Sequence, residues 1–290
     1  MLPMRTLRRR VLVVLCLAAL PASLVAAVEI TLPNEPSSLK FAVIGDSGSG
    51  SGRQYQLGAQ RAAAHKLYPF SHVLMLGDNI YGRDTARDFQ RKFELPYKAL
   101  HDAGVPFYAS LGNHDNPAVQ VNYKPFNMNG RRFYSFRTGD AEFFALDSTY
   151  MSTEQVRWVE QALSKSDAPW KIAFMHHPTY SSGKRHGPDV ELRAFIEPLF
   201  VKYGVSVVLA GHEHFYERIK PQQGIAYFIA GSAGKLRSGN IRRGPFFAAG
   251  FDTDLSFMLF EIIGDDLHFQ VISRLARTVD QGVVKRRVLS

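Results

Sequence analysis

Cysteine is almost absent from this 290-residue chain, and its single copy, Cys16, lies near the N-terminus. The chain can therefore form no internal disulfide and offers no other thiolate, so a bound metal would need nitrogen and oxygen ligands. No internal repeat or low-complexity tract occurs either. Hydrophobic residues make up 46% of the chain, which is typical of a folded globular protein rather than a disulfide-rich or disordered one.

Long hydrophobic runs are also missing, apart from one near the start. Residues 11–20 are apolar, follow Arg8-Arg9-Arg10 and precede small residues up to Ala27. The run is too short, and too closely followed by Pro21, for a comfortable membrane span. Its order of basic, apolar and small residues predicts a signal peptide over residues 1–27 and export to the periplasm or the medium. The Sec route is expected, and the arginines also fit a twin-arginine signal.

A strong net charge is missing once this leader is set aside. The formal charge of +9 includes four leader arginines, so the remainder carries +5. This mild excess favours small anionic substrates. No basic stripe interleaved with aromatic residues occurs, which argues against nucleic-acid binding. The basic loop at residues 235–243 is equally consistent with steering of anions and with a solvated charge run.

Short apolar runs that end in polar clusters are the main feature of the remaining chain. They predict buried strands at residues 39–44, 72–76, 106–111, 171–175 and 205–210. Helical stretches alternate with them, at about residues 54–68, 85–101 with an interruption near Pro96, 152–163 and 188–203. Further strands are predicted at residues 132–136, 142–146, 225–230, 257–263, 267–273 and 283–288. Since no linker divides it, we expect residues 28–290 to form one α/β domain with added antiparallel strands.

The polar clusters consist of residue types that bind metal ions. They are Gly45-Asp46, Gly77-Asp78, Gly112-Asn113-His114, His176-His177 and Gly211-His212-Glu213-His214. Each cluster alone is consistent with a turn, a helix cap or a core histidine. Because strand ends meet at one edge of a sheet, together they predict a pocket with two Asp, one Asn and several His. Acids and imidazoles packed so closely need cations, so we expect a dinuclear metal site.

These five clusters, in this order over residues 39–219, resemble the calcineurin-like metallophosphoesterases. Within that group the chain is similar to the small, animal-type purple acid phosphatases, because Gly48 stands where most relatives have a ligand His and Tyr81 follows Gly77-Asp78. The resemblance implies an α/β (α+β type) fold. A central two-sheet β-sandwich would be flanked by helices, with the metal site at the C-terminal ends of strands.

The resemblance also implies a ligand set. Fe(III) would be held by Asp46, Asp78, Tyr81 and His214. A divalent Fe, Zn or Mn ion would be held by Asp78, Asn113, His176 and His212. His114 and His186 would contact the phosphate and handle protons, and His177 would orient a ligand or face the substrate.

The activity implied is hydrolysis of phosphate monoesters, of the acid phosphatase type. Two cations about 3.5–4 Å apart share a hydroxide that attacks phosphorus, and an imidazole protonates the leaving group. The expected partner is a small phosphorylated substrate, with no nucleic acid, no stable membrane span and no indicated oligomeric state. Two alternatives remain: a phosphodiesterase or nucleotidase with two divalent metals, and a non-catalytic phosphate-binding protein. Tyr81 favours the acid phosphatase over the phosphodiesterase or nucleotidase, because a phenolate suits Fe(III).

Overall fold

Two β-sheets organise residues 27–288, the part of the chain that the computed structural model describes. The predicted signal peptide lies outside these residues, except for Ala27. In chain order the strands are β1 (Leu39–Ile44), β2 (His72–Leu76), β3 (Phe107–Ser110), β4 (Tyr134–Thr138), β5 (Ala141–Ala145), β6 (Trp170–Phe174), β7 (Val207–Ala210), β8 (Tyr216–Gln222), β9 (Ile225–Ala230), β10 (Phe247–Phe251), β11 (Ser256–Ile263), β12 (Asp266–Ser273) and β13 (Thr278–Lys285).

Six α-helices lie between these strands in the described range. They are α1 (Gly52–Leu67), α2 (Ala86–Phe89), α3 (Lys98–Asp102), α4 (Pro117–Gln120), α5 (Thr153–Lys165) and α6 (Val190–Tyr203). A π-helical turn at Gln90–Glu94 continues α2, and a 3-10 turn spans Lys124–Phe126. None of the helices between residues 27 and 288 is long and apolar enough to cross a bilayer.

Parallel strands form the centre of each sheet, and antiparallel strands extend them. The first sheet has the order β13-β12-β11-β1-β2-β3, in which β1, β2 and β3 are parallel. The second has the order β10-β8-β9-β7-β6-β5-β4, in which β5, β6, β7 and β9 are parallel. Parallel strands buried on both faces explain why these segments are continuous apolar runs.

The main core lies between the two sheets. Phe41 of β1 meets Phe143 of β5 edge to face at a centroid distance of 5.2 Å, and Phe228 of β9 meets Phe260 of β11 at 5.7 Å. Helices α5 and α6 cover the outer face of the second sheet through a separate apolar cluster, while α1 contributes to the main core. The two-sheet architecture flanked by helices, expected from the resemblance, is confirmed.

The elements follow the sequence predictions in part. The helical stretch at residues 85–101 is interrupted near Pro96, as predicted, and consists of α2, the π-helical turn and α3. The last strand lies at Thr278–Lys285 rather than at residues 283–288, so the predicted bounds are wrong and only residues 283–285 are shared. Strands β8 and β10 were not predicted.

Candidate metal centre

The predicted ligand clusters all lie on loops that leave the carboxyl ends of β1, β2, β3, β6 and β7. Hydrogen bonds between these loops join the two sheets. The His212 amide donates to Asp46 Oδ2 at 2.8 Å, and His176 Nδ1 lies 2.9 Å from the Leu76 carbonyl oxygen. The site therefore forms at the seam where the parallel halves of both sheets end, as expected for open α/β sheets.

The first donor cluster contains Asp46, Asp78, Tyr81 and His214. The ligand atoms of the two carboxylates and the imidazole lie within 4.8 Å of one another. The Tyr81 hydroxyl donates to Asp46 Oδ1 at 3.0 Å and lies 3.2 Å from His214 Nε2. The structure thus brings together all four residues that the sequence assigns to the first metal.

The second donor cluster is centred on His176, whose ring is fully buried. Its Nδ1 faces the Leu76 carbonyl oxygen, which can only accept a hydrogen bond. The proton must therefore lie on Nδ1, and the lone pair of Nε2 faces the site. That Nε2 lies 3.0 Å from Asn113 Oδ1, 3.4 Å from Asp78 Oδ1 and 3.1 Å from His212 Nδ1.

Burial favours the neutral form of several of these groups. It raises the pKa of Asp46 well above its ordinary value, with help from the charge of Asp78, and it raises the pKa of Tyr81. It lowers the pKa of His212 to about 2 and that of His214 to about 4. Burial thus disfavours the charged forms of these four groups, and a bound cation would make the deprotonated Asp46 carboxylate and Tyr81 phenolate favourable there.

These residues fit a pair of metal ions. In the second cluster Nε2 of His176 lies within 3.4 Å of Asn113 Oδ1, Asp78 Oδ1 and His212 Nδ1, so four potential ligand atoms converge on one point. A cation at that point could be coordinated by all four, and it would offset the cost of burying the Asp78 carboxylate. The first cluster offers carboxylate and phenol oxygens, which suit a harder ion than the imidazole-rich second cluster.

His177 lies closer to the second cluster than sequence reasoning assigned it. One of its ring nitrogens lies within 4.8 Å of ligand atoms of His176 and His212. Ser148, on the loop after β5, fixes this residue, because its hydroxyl accepts from the His177 amide at 2.8 Å and lies 3.0 Å from Nδ1. Sequence reasoning missed Ser148, although the polar residues that follow β5 were a usable signal.

The two predicted proton-handling histidines lie at the edge of the site and are exposed to solvent. The His114 amide donates to Asp78 Oδ1 at 2.9 Å, and its ring centroid lies 5.0 Å from that of Tyr81. The His186 ring lies 4.3 Å from the His212 ring. Both imidazoles can therefore reach a substrate bound at the donor clusters.

Asp115 ties together two of the site loops, a role that sequence reasoning did not assign. Its buried carboxylate accepts hydrogen bonds from the backbone amides of Gly112, Asn79 and Ile80 at 2.8–3.1 Å. Gln120 donates to it as well, at 2.8 Å. The loop that carries Asn113 and His114 is thereby locked to the loop that carries Asp78 and Tyr81.

The backbone at three donor residues is left-handed. The φ angles are 54° at Asp46, 50° at Asp78 and 67° at His212. Residues other than glycine rarely adopt this backbone conformation, and its use at a cluster of polar residues indicates strain that is kept for function. Gly112 is needed for a different reason, because a Cβ there would lie 2.3 Å from Asp78 Oδ1.

Comparisons with known proteins give a family and a fold. The model of the family described as "Calcineurin-like phosphoesterase" matches residues 39–216. Tartrate-resistant acid phosphatase type 5 of Oryctolagus cuniculus is 26% identical over 237 residues, which cover 67% of this chain and 73% of that protein.

Two solved structures are similar in fold alone. GAP50, described as the anchor in the inner membrane complex of Plasmodium, has a TM-score of 0.74 at 18% identity, and the match covers 87% of this chain and 90% of that one. A purple acid phosphatase from Lupinus luteus seeds has a TM-score of 0.69 at 18% identity, and the match covers 88% of this chain and 55% of that one.

Proposed function

Because the chain belongs to the calcineurin-like phosphoesterase family, we propose that it is a dinuclear-metal hydrolase of phosphate monoesters, of the acid phosphatase type. The observation that carries this proposal is the Tyr81 hydroxyl, which lies within hydrogen-bonding distance of both Asp46 Oδ1 and His214 Nε2. A phenol oxygen at that point suits a trivalent iron. The acid phosphatase relative supports the same reaction.

The metal assignment follows the two donor clusters. Asp46, Asp78, Tyr81 and His214 would hold Fe(III). Asp78, Asn113, His176 and His212 would hold a divalent ion, which is Fe, Zn or Mn. The two ions, when bound, neutralise charge on the phosphate oxygens and lower the pKa of the attacking water.

The protein's own residues orient the substrate and move protons. His114 and His186 lie beside the donor clusters and donate to phosphate oxygens, and one of them protonates the leaving alkoxide. The Leu76 carbonyl holds His176 in the tautomer that presents Nε2, and Ser148 holds the ring of His177 beside it. No serine or cysteine nucleophile is needed.

The proposal includes export and a single catalytic domain. Residues 1–27 are a signal peptide and residues 28–290 the catalytic domain, supported by the leader pattern and by a main core to which both sheets contribute. We expect N-terminal sequencing of the exported protein to start near Val28. An exported protein that starts at Met1 would contradict this part of the proposal.

The test of the function combines metal analysis, a visible spectrum and a phosphatase assay. A phenolate bound to Fe(III) absorbs visible light by charge transfer to the metal, so the oxidised protein should be pink to purple and contain iron. Tyr81→Phe removes only the oxygen, and the band should vanish while circular dichroism shows an unchanged fold. The matched control is Tyr203→Phe, which removes a hydroxyl that donates to Glu160 and should keep the band.

Different outcomes contradict different parts of the proposal. A colourless, iron-free protein that is active with manganese would exclude the Fe(III)–Tyr81 assignment and favour a phosphodiesterase or nucleotidase with two divalent ions. A protein that binds both metals but cleaves no phosphoester would exclude an enzyme. It would favour a non-catalytic phosphate-binding protein on the same fold.

A further inference from the structure

Two loops beside the metal centre are joined to each other. We call residues 181–187 the histidine loop, since it carries His186, and residues 235–243 the basic loop. The Lys184 amide of the first donates to the Asn240 carbonyl of the second at 2.9 Å, and an antiparallel β-bridge lies next to this bond. The two loops therefore form one rim rather than two separate flaps.

Two buried carboxylates fix this rim to the second sheet. Glu213 accepts from the Gly187 amide at 2.9 Å and from Asn240 Nδ2 at 3.0 Å, so it holds both loops at once. Glu217 accepts from the Ser182 amide at 2.9 Å at the other end of the histidine loop. Both glutamates have no exposed surface. The backbone of the rim is therefore held in place relative to the metal ligands His212 and His214.

Three cations on the rim have little or no charge compensation. Among the described residues, the side chains of Arg185 and Lys235 make neither a hydrogen bond nor an ion pair, and Lys235 Nζ lies 4.6 Å from the centre of the Tyr81 ring. Arg237 Nη1 is buried and lies 3.8 Å from the Glu213 carboxylate, in an ion pair that is longer than a hydrogen bond. The other nitrogens of this guanidinium, and the whole guanidinium of Arg185, are available to bind an anion in two-point contacts.

Direct contacts place these cations beside the metal ligands. The Arg237 amide donates to the His214 carbonyl oxygen at 2.9 Å, and Lys235 lies over the ring of Tyr81. Arg185 directly precedes His186, whose ring lies 4.3 Å from the His212 ring. The cations on the rim are therefore close enough to act on a substrate at the metal centre.

Acidic residues also line the cleft on the Arg185 side. A cavity of about 480 Å³ is bordered by His212, His186 and Arg185, and by Asp189 and Glu191. The Asp189 carboxylate caps α6 and accepts from a backbone amide there, so it is already engaged. Arg237 lies on the basic loop and does not border this cavity.

We propose that Arg185 and Arg237, on either loop of the rim, form a subsite for a second anionic group of the substrate. The preferred substrates would be phosphate monoesters whose leaving group carries another phosphate or a carboxylate. The metals would hold the reacting phosphate, and the guanidinium groups would hold the second anion. This inference rests on the proposed function.

The test compares substrates that differ only in the second anion. Propyl phosphate and 1,3-propanediol bisphosphate contain the same phosphate monoester group and differ in the second phosphate. The corresponding two-carbon and four-carbon compounds vary the distance between the reacting phosphate and the second anion. At constant ionic strength we expect a kcat/KM at least about tenfold higher for one of the bisphosphates than for its monophosphate, the size expected of charge-assisted hydrogen bonds. The ratio of kcat/KM for 3-phosphoglycerate to that for glycerol 3-phosphate tests a carboxylate as the second anion.

The variants separate a subsite from general attraction of anions. Arg185→Gln and Arg237→Gln should each lower the ratio of kcat/KM for the bisphosphate to kcat/KM for the monophosphate. The bisphosphate has two phosphates that can each react, and the double variant should lower the ratio to the statistical value that this alone gives. Arg242→Gln/Arg243→Gln makes the same charge change at exposed positions of the basic loop, and it should leave the ratio unchanged. A ratio near that statistical value in the wild type, or equal losses in both double variants, would overturn the proposal.

A binding measurement keeps this test independent of turnover. Calorimetry with 1,3-propanebisphosphonate and propylphosphonate, neither of which can be hydrolysed, should show tighter binding of the first, and Arg185→Gln/Arg237→Gln should abolish the difference. If neither phosphate ester is cleaved but the bisphosphonate still binds more tightly, the proposed function fails and the subsite stands. If both esters are cleaved without preference and both phosphonates bind equally, the reverse holds.

Discussion

Asp78 contacts groups from both donor clusters, which sets it apart from the other acids. It belongs to the cluster with Asp46 and His214, and its Oδ1 lies 3.4 Å from His176 Nε2 in the other. Asp78→Asn should therefore lose both metals and activity together, whereas Asn113→Ala should weaken mainly the second site. Metal content by mass spectrometry and phosphatase activity measure this. Full retention of both metals in Asp78→Asn would mean that it does not bridge them.

Asp115 shows how strongly the site depends on a residue that touches no metal ligand atom. Asp115→Asn places an amide NH₂ against backbone N–H donors of Gly112, Asn79 and Ile80, so at least one buried donor loses its acceptor. We expect a loss of about 2 kcal/mol in the free energy of unfolding and weaker metal binding. Denaturant titration measures the first. Asp102→Asn, which breaks an exposed ion pair with Lys98, is the control, and an equal loss there would contradict the argument.

The loop after β3 tests the close approach at Gly112. Gly112→Ala would place a methyl group 2.3 Å from Asp78 Oδ1, so Asp78 must move and both metals should be held less tightly. Gly52→Ala is the matched control, because nothing lies within 4 Å of a Cβ there. Metal titration of the two variants compares them. Unchanged affinity in Gly112→Ala would show that the loops can separate without cost.

Strand β2 carries a histidine into the core between the sheets. His72 stacks on Phe41, and burial lowers its pKa to about 3. The Ser71 hydroxyl already donates to a backbone carbonyl, so His72 Nδ1 donates to Ser71 Oγ and Nε2 is left as a buried acceptor without a partner among the described residues.

The pH dependence of stability follows from this burial. Between pH of about 6.5 and about 3 the unfolded chain takes up a proton at His72 that the folded chain does not, so the free energy of unfolding falls by up to about 1.4 kcal/mol per pH unit as the pH drops. His72→Phe should flatten this slope in urea titrations across that range. His268→Phe, at a half-buried position of β12, controls for the loss of a histidine, and the same flattening in both variants would contradict the assignment.

The elements that the sequence predicted well are those whose signal is local. Strands β1, β2 and β9 lie at the predicted residues, because each is a mainly apolar run, with Lys40 in β1 and His72 in β2 as the polar members. Strand β8 begins at Tyr216, two residues after the last ligand motif, and most of its residues are polar, so its apolar signal was weak. Strand β10 contains small residues and a glycine, and only its pairing with β8 makes it a strand.

The site shows the same division between local and distant signals. Seven of the nine predicted metal and proton-handling residues lie in the five strand-end clusters, while Tyr81 follows one cluster and His186 was assigned through the resemblance alone. The structure brings the nine together. The supports of those residues could not be predicted, because each is a contact between distant segments. Ser148 meets His177 across 29 positions, and Glu213 holds Gly187 across 26. No spacing rule links such pairs before the fold is known.

At the scale of the whole molecule, bound metal ions would cross-link the two sheets. The first donor cluster combines loops after β1 and β2 with the loop after β7, and the second combines the loop after β3 with loops after β6 and β7. Chelation should therefore lower the melting temperature, since each site filled at a hundred times its Kd contributes about 2.7 kcal/mol to stability. Scanning calorimetry with and without a chelator measures this, with metal content recorded in parallel. Asp78→Asn should respond little, and a metal-stripped wild type that melts unchanged would contradict the cross-link.

The left-handed backbone at Asp46, Asp78 and His212 has a consequence for how such a sequence changes over generations. Each position costs the chain on the order of 1 kcal/mol that glycine would not. At Asp46 and Asp78 the side chain also accepts a hydrogen bond from a backbone amide, of His212 and His114 respectively, so glycine there would remove an acceptor, whereas asparagine would keep one. In a descendant released from selection for catalysis we therefore expect drift to asparagine at the two acids and to glycine at His212, with the fold retained. The lost activity would be hard to regain, because no reversal towards the metal-binding residues would add stability.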